Sequence, residues 1–340
     1  MSGILRSLVM IGASLAVVGA AHAQQRDPFN GQFGAIERAM APAEAVADLE
    51  LMAGSLGQLA PQRPGVTDTY VLSAGLWSDP VFEREAEQAA ELLARRFDAA
   101  DRSVVLSAGQ AGQPRKYPAA TPNNINAALG KIGSLIDPNE DLVVVFLTSH
   151  GGQDGAMGLQ EVNRLGGALR AQHLRSSLAA AGIRNKVLII SACYSGHFIL
   201  PFSDPNTVVL TAAAADKTSF GCQPERDWTY FGDALLNHSL RSGAALVDAF
   251  DSSLGLIADW ERDLIAEWDG KTPAARGGLP RPEPSNPQKH VGAAVALMLP
   301  LAEHYGMAIE CAGTLGVAFD RARTQRPLEG LSNASNVEAA

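Results

Sequence analysis

The chain has 340 residues, of which 46% are hydrophobic and 19% charged, and its formal net charge is −9 at pH 7. These proportions are typical of a folded globular chain and exclude a largely disordered one. The negative balance, with no basic run longer than Arg95-Arg96, excludes an extended nucleic-acid surface, which requires clustered lysine and arginine.

The first residues have the layout of a secretory signal peptide. Arg6 precedes an apolar stretch, Leu8 to Ala20, that is too short to span a bilayer. Ala21-His22-Ala23 then places small residues where a signal peptidase reads them. We expect residues 1–23 to be removed, leaving an exported chain, periplasmic or secreted, without stable membrane insertion. An uncleaved anchor and a buried first helix are the alternatives.

Residues 24–66 are predicted to form an N-terminal helical segment and a linker, because helical patterning ends at the Pro/Gly cluster of residues 61–65. Strand and helix patterns then alternate. In chain order they are a strand from Thr69 to Ser73, a helix opened by Asp79-Pro80, a strand from Ser103 to Ser107, a helix opened by Thr121-Pro122 and a buried strand from Leu142 to Leu147.

The alternation continues beyond residue 170. The predicted elements are a helix around Leu174 and Leu178, strands from Val187 to Ala192 and from Thr207 to Ala213, helical patterning from Asp233 to Trp268, and a segment from Val291 to Leu299 that is either an edge strand or a short helix. This order predicts an α/β fold with a mostly parallel sheet. We assign residues 67–300 to one domain and residues 301–340 to a partly disordered C-terminal extension.

A histidine and a cysteine each follow a buried strand. Thr148-Ser149-His150-Gly151 ends one apolar run, and Ser191-Ala192-Cys193-Tyr194-Ser195-Gly196 ends the next. Because ligands and chemistry gather at the carboxyl ends of parallel strands, we expect the thiol and imidazole to meet there as nucleophile and acid/base. The alternative is a small buried cysteine and a hydrogen-bonded turn histidine. His197 is a secondary candidate partner of the thiol.

These two motifs resemble the catalytic motifs of the legumain-type cysteine peptidases, a branch of the caspase-like fold. A third block, which runs from Thr211 through Ser219 and Cys222 to Asp233, is similar to the family segment that leads into the substrate pocket. The resemblance covers about Thr67 to Pro300 and points to a bacterial exported member. It implies a caspase-like three-layer αβα sandwich with a mostly parallel central sheet.

The resemblance also implies roles for individual residues. Cys193 would be the nucleophile and His150 the general acid/base, with the N–H groups of Gly151 and Cys193 stabilising the oxyanion. Asp233 and Ser219 match positions that line the substrate pocket, although Asp233 also suits a helix start. The chain departs from the family at two further pocket positions: Ser191 replaces an acid, and Glu83 rather than Arg84 matches the pocket arginine. Cleavage after asparagine therefore does not follow directly.

We expect a cysteine endopeptidase that acts on peptides or proteins and needs no cofactor or metal, since the remaining histidines show no ligand spacing. A transamidase or ligase using the same thioester, and an inactive peptide-binding module, are the alternatives. The patterns do not indicate an oligomeric state. Export leaves Cys222 and Cys311 as a candidate disulfide if Cys193 stays free, the alternative being three reduced cysteines.

Overall fold

The computed structural model describes residues 36–38, 40–110, 112–277 and 280–314, with side chains as far as Glu303. The predicted signal peptide and residues 315–340 lie outside this part. The strands are β1 (Ile36–Glu37), β2 (Thr69–Gly75), β3 (Ser103–Ser107), β4 (Leu142–Thr148), β5 (Met157–Glu161), β6 (Leu165–Leu169), β7 (Lys186–Ser191), β8 (Thr207–Thr211) and β9 (Gln288–Val291).

The helices alternate with these strands along most of the chain. They are α1 (Pro42–Gly57), α2 (Pro80–Arg96), α3 (Pro122–Gly133), α4 (Ala171–Ala180), α5 (Tyr230–Gly232), α6 (Leu246–Gly270), α7 (Pro273–Arg276) and α8 (Ala293–Thr314). Short 3₁₀ turns occupy Ser195–Phe198 and Leu200–Phe202, and a π-helical stretch, Asp233–Leu240, continues α5.

A six-stranded sheet with the order β3-β2-β4-β7-β8-β9 forms the centre of the molecule. The first five of these strands run parallel, and β9 pairs antiparallel with β8 at the edge. Successive residues of β4 face opposite sides: Val143 and Val145 pack with the cluster that includes α3 and α4, whereas Val144 and Phe146 pack with α2 and α6. The predicted α/β sandwich, with helices on both faces of a mostly parallel sheet, is confirmed.

Helix α2 begins as predicted, with Asp79 as its N-cap residue and Pro80 in the first turn. Proline is favoured there because its missing N–H would have no partner within the helix. Its apolar side packs on the sheet through residues that include Phe82, Ala89 and Leu93, all fully buried. This packing holds the start of α2 beside the carboxyl ends of β2 and β4.

A second, three-stranded sheet, ordered β1-β6-β5, was not predicted. Its strands are short and rich in glycine, and the turn of the β5–β6 hairpin places Asn163 at a φ of 62°. Such segments lack the long apolar run or regular alternation that identifies a strand. The open prediction for residues 291–299 is also resolved, since a short edge strand ends at Val291 and α8 follows.

Candidate active site

The carboxyl ends of β4 and β7 lie side by side in the sheet. Thr148 pairs with Ser191, and the chain continues from these partners to His150 and Cys193, each two residues further on. The parallel register therefore brings both segments to the same edge of the sheet. The sequence-based expectation that the two strand ends meet is correct.

Gly151 packs directly against the backbone of Cys193. A Cβ atom at Gly151 would overlap the Cys193 carbonyl oxygen and would lie 3.0 Å from its amide nitrogen. Only glycine permits this close approach of the two backbones. Among the described residues, no backbone carbonyl accepts from the N–H of Gly151 or of Cys193. Both amides therefore remain available to an external oxygen.

Asp79 and two aromatic rings hold the imidazole of His150. Its Nε2 lies 2.8 Å from Asp79 Oδ2. The rings of Trp77 and Phe82 meet it edge-on, with centroid distances of 5.2 and 4.9 Å. When Nε2–H donates to Asp79, Nδ1 is left to exchange a proton. The site therefore has a third residue that orients the histidine.

The half-buried sulfur of Cys193 is in contact with Ser219. The backbone N–H of Ser219 donates to Sγ over 3.2 Å, and its carbonyl and hydroxyl oxygens lie 3.6 and 3.7 Å from Sγ. The sequence placed Ser219 in the substrate pocket, and the structure places it against the sulfur.

Tyr194 follows the nucleophile in a left-handed conformation, with φ of 57° and ψ of 17°. Its N–H donates to the carbonyl of Lys217 over 2.7 Å. A tyrosine in this region costs roughly 1–2 kcal/mol relative to a right-handed conformation, because its Cβ crowds the backbone. Backbone strain of this kind clusters at functional sites.

A buried polar network lies beneath the strand ends. The carboxyl group of Glu85 accepts hydrogen bonds from the hydroxyl groups of Thr148 and Thr229 and from the Thr229 N–H. Ser191 joins through its hydroxyl, 2.9 Å from that of Thr229. Burial raises the pKa of Glu85 to about 7, although the hydrogen bonds from Thr148 and Thr229 act to lower it. Ser191 is buried and serves this network.

Asp233 lies at the start of the π-helical stretch, and three polar or charged side chains surround its carboxylate. Its carboxylate accepts from Asn237 Nδ2 over 2.8 Å and lies 3.5 Å from both Arg226 and His238. A cavity of about 430 Å³ opens beside it, walled by Tyr230 and Trp260 among others. The arginine beside this carboxylate is therefore Arg226.

Arg84 binds a loop rather than Asp233. Its guanidinium donates to the carbonyls of Pro224 and Arg226, the latter over 2.6 Å, and pairs with Asp227 at 2.9 Å. Glu83, the other sequence candidate for this position, accepts from Ser107 over 2.6 Å. A role of Arg84 in direct substrate binding stays a prediction.

The remaining candidates lie nearby or apart. The ring of His197 packs on Gly155, in the loop after His150. Cys222 is a free thiol whose pKa is raised by burial and by the charges of Cys193, Glu85 and Asp79. The side chain of Cys311 lies outside the described residues, so the disulfide stays a prediction.

Within the described ranges, no group of histidine, cysteine, aspartate and glutamate side chains is arranged to hold a metal ion. None of the helices in these ranges combines the length and the hydrophobicity that a membrane span requires.

An α/β sandwich that brings a cysteine, a histidine and two free amides to one sheet edge has the architecture of a cysteine peptidase. Residues 123–251 match the model of the Peptidase C13 family. Legumain from Canavalia ensiformis is 32% identical over an alignment of 125 residues, and the match covers 33% of this chain and 26% of that legumain. These matches confirm the resemblance to the legumain-type peptidases.

A solved structure, caspase-1 from Spodoptera frugiperda, superimposes with a TM-score of 0.45 at 11% identity, covering 68% of this chain and 95% of the caspase. The segment that this chain shares with the legumain spans 26% of the legumain's length, about a quarter.

Three charged residues of the site are not indicated by the sequence patterns. The pattern around Asp79 predicts only a helix start, and no motif singles out Glu85 or Arg226. The N-cap position of Asp79 is compatible with its contact to His150, because the Asp79 side chain makes no capping hydrogen bond and reaches the imidazole instead. For Glu85 a signal existed, since a glutamate among the apolar positions of an amphipathic helix needs a buried partner.

Proposed function

We propose that this chain is a cysteine endopeptidase that hydrolyses peptide bonds through a thioester on Cys193. The observation that carries the proposal is the close packing of the Gly151 backbone against the backbone of Cys193, the residue that bears the thiol. Residues 148–151 and 191–196 also lie within the segment that matches a peptidase family.

The reaction follows from the roles of these groups. The Cys193 thiolate attacks the peptide carbonyl, and the N–H groups of Gly151 and Cys193 stabilise the oxyanion of the tetrahedral intermediate. His150, held by Asp79, protonates the departing amine, which leaves a thioester. His150 then takes a proton from water, which attacks the thioester and releases the acid and the thiolate. An amine in place of water would give ligation.

A thiol-directed peptide probe tests the proposal. We expect covalent labelling at Cys193 in the wild type and none in Cys193→Ala, together with loss of peptide cleavage. Cys222→Ala is the matched control, because it removes the other described free thiol and should leave the label on Cys193. Cleavage by a folded Cys193→Ala variant would overturn the assignment.

The substrates we propose are peptides or unfolded protein segments, with Asp233 reading the residue before the cleaved bond. The cavity beside Asp233 and its position on the segment that follows Thr229 support this. A peptide library cleaved by the wild type and by Asp233→Asn tests it. We expect the preference at that residue to change in the variant, and an unchanged preference would exclude Asp233.

We also infer that the chain is exported, on the support of the signal-like layout of residues 1–23. N-terminal sequencing of the protein recovered outside the cytoplasm should begin at Gln24. Recovery of the chain only from the cytoplasm, with residues 1–23 retained, would contradict the inference.

A further inference from the structure

Glu85 is fully buried beneath the strand ends, and within the described part of the chain it makes no hydrogen bond to Cys193 or His150. One carboxyl oxygen accepts from the hydroxyl of Thr148, the last residue of β4. The other accepts from the hydroxyl of Thr229 over 2.7 Å and from its N–H over 3.2 Å. A single carboxyl group thus joins a strand of the sheet to the segment that precedes Asp233.

Thr229 extends this connection to the strand that carries the nucleophile. Its hydroxyl lies 2.9 Å from the hydroxyl of Ser191, the last residue of β7, and accepts from the N–H of Gly232 over 3.1 Å. Gly232 packs so closely on Glu85 that a Cβ atom would overlap the carboxyl oxygen. The three segments that meet at the site therefore share one buried polar centre.

We propose that Glu85 is a positioning residue that sets the spacing of the strand ends bearing His150 and Cys193. This inference rests on the proposed function and deepens it, because it names the group that aligns the nucleophile with its acid/base. Thr148 and Ser191 are partners in the sheet, and each lies two residues before one member of the pair. A shift at either end is transmitted directly to the reacting atoms.

The geometry of α2 gives this role a structural basis. The same helix supplies Glu85 beneath the strand ends and Asp79 on the imidazole of His150. Because α2 is clamped to the sheet by buried apolar residues, both carboxyl groups are held by one rigid element. Misplacement of catalytic groups by about 1 Å costs roughly a hundredfold in rate.

The experiment compares Glu85→Gln and Glu85→Ala with the wild type in two assays. The first measures kcat and KM for peptide cleavage, and the second measures the rate at which iodoacetamide alkylates Cys193, mapped by mass spectrometry. We expect kcat to fall about tenfold in Glu85→Gln and about a hundredfold in Glu85→Ala, with KM within about twofold. Alkylation of Cys193 should slow in the same order.

Thr148→Val provides a second route if the Glu85 variants do not fold. Valine matches threonine in shape, suits a strand and removes only the hydroxyl that bonds Glu85. It should lower kcat and slow alkylation by several-fold. Thr211→Val is its matched control, since Thr211 is a buried threonine at the end of β8 whose hydroxyl bonds only to backbone carbonyls.

Glu303→Gln is the matched control for Glu85. Glu303 is also a buried glutamate, but it bonds Arg96 at the far end of α2 and the N–H of Leu246. Both controls should keep kcat and alkylation within about twofold of the wild type. Folded Glu85 or Thr148 variants with wild-type alkylation rates would overturn the inference. If the wild type cleaves no peptide, the proposed function fails while alkylation still decides the role of Glu85.

Discussion

Asp79 Oδ2 lies 2.8 Å from Nε2 of His150, so the N-cap residue of α2 and the loop after β4 share one hydrogen bond. This contact selects the ring orientation in which Nδ1 is available for proton exchange. We expect Asp79→Ala to lower kcat by about a hundredfold, in the range typical of general acid/base catalysis.

The matched control is Glu91→Gln, an exposed carboxylate on the same helix that pairs with Arg95 at 3.9 Å. It should leave kcat unchanged. Steady-state kinetics on purified variants with equal circular dichroism spectra makes the comparison. Unchanged kcat in Asp79→Ala would show that Trp77 and Phe82 suffice to orient the ring.

Gly151→Ala should abolish cleavage with little loss of folded protein. The added methyl group would overlap the carbonyl oxygen of Cys193 and force the two amides apart. Gly54→Ala in α1 is the control, because nothing lies within 4 Å of a Cβ atom there. That variant should keep full activity and gain up to about 1 kcal/mol of stability. An active Gly151→Ala enzyme would contradict the proposed oxyanion site.

The left-handed conformation of Tyr194 predicts a difference between two truncations. Tyr194→Gly and Tyr194→Ala both remove the phenol ring, but only glycine adopts a φ of 57° without strain. We expect Tyr194→Gly to be about 1 kcal/mol more stable than Tyr194→Ala in urea unfolding. Equal stabilities would indicate that the backbone relaxes after the ring is removed.

Glu85 predicts that stability depends on pH. Burial raises its pKa from 4.5 to about 7, so the folded chain holds a proton that the unfolded chain has released between these values. Its stabilising contribution is full below about pH 4.5 and is lost as the pH rises through 7.

The expected change is on the order of 3 kcal/mol, at about 1.4 kcal/mol for each pKa unit. Urea unfolding of the wild type and Glu85→Gln between pH 4.5 and 8 measures it. The wild type should lose more free energy of unfolding than the variant across that range. Parallel curves would show that Glu85 stays ionised in the folded chain.

Local patterns were sufficient to predict the α/β sandwich and the two strand ends that carry His150 and Cys193 to one edge of the sheet. The buried strands β4 and β7 are runs of apolar residues, and parallel pairing puts their carboxyl ends at one edge. His150 and Cys193 each lie two residues beyond those strands, so the topology alone brings both segments to that edge. The β5–β6 hairpin, with short glycine-rich strands, has no comparable pattern.

The sequence by itself therefore determined which thiol and which imidazole are carried to one edge of the sheet, because each follows closely on the strand that places it. Only the tertiary structure decided what surrounds them. The site also contains residues from segments far apart along the chain, namely Asp79, Glu85, Ser219 and Arg226. Arg84 binds the 224–227 loop instead. Such contacts depend on how helices and loops pack on the sheet, and the local spacing of residues along the chain does not indicate that packing.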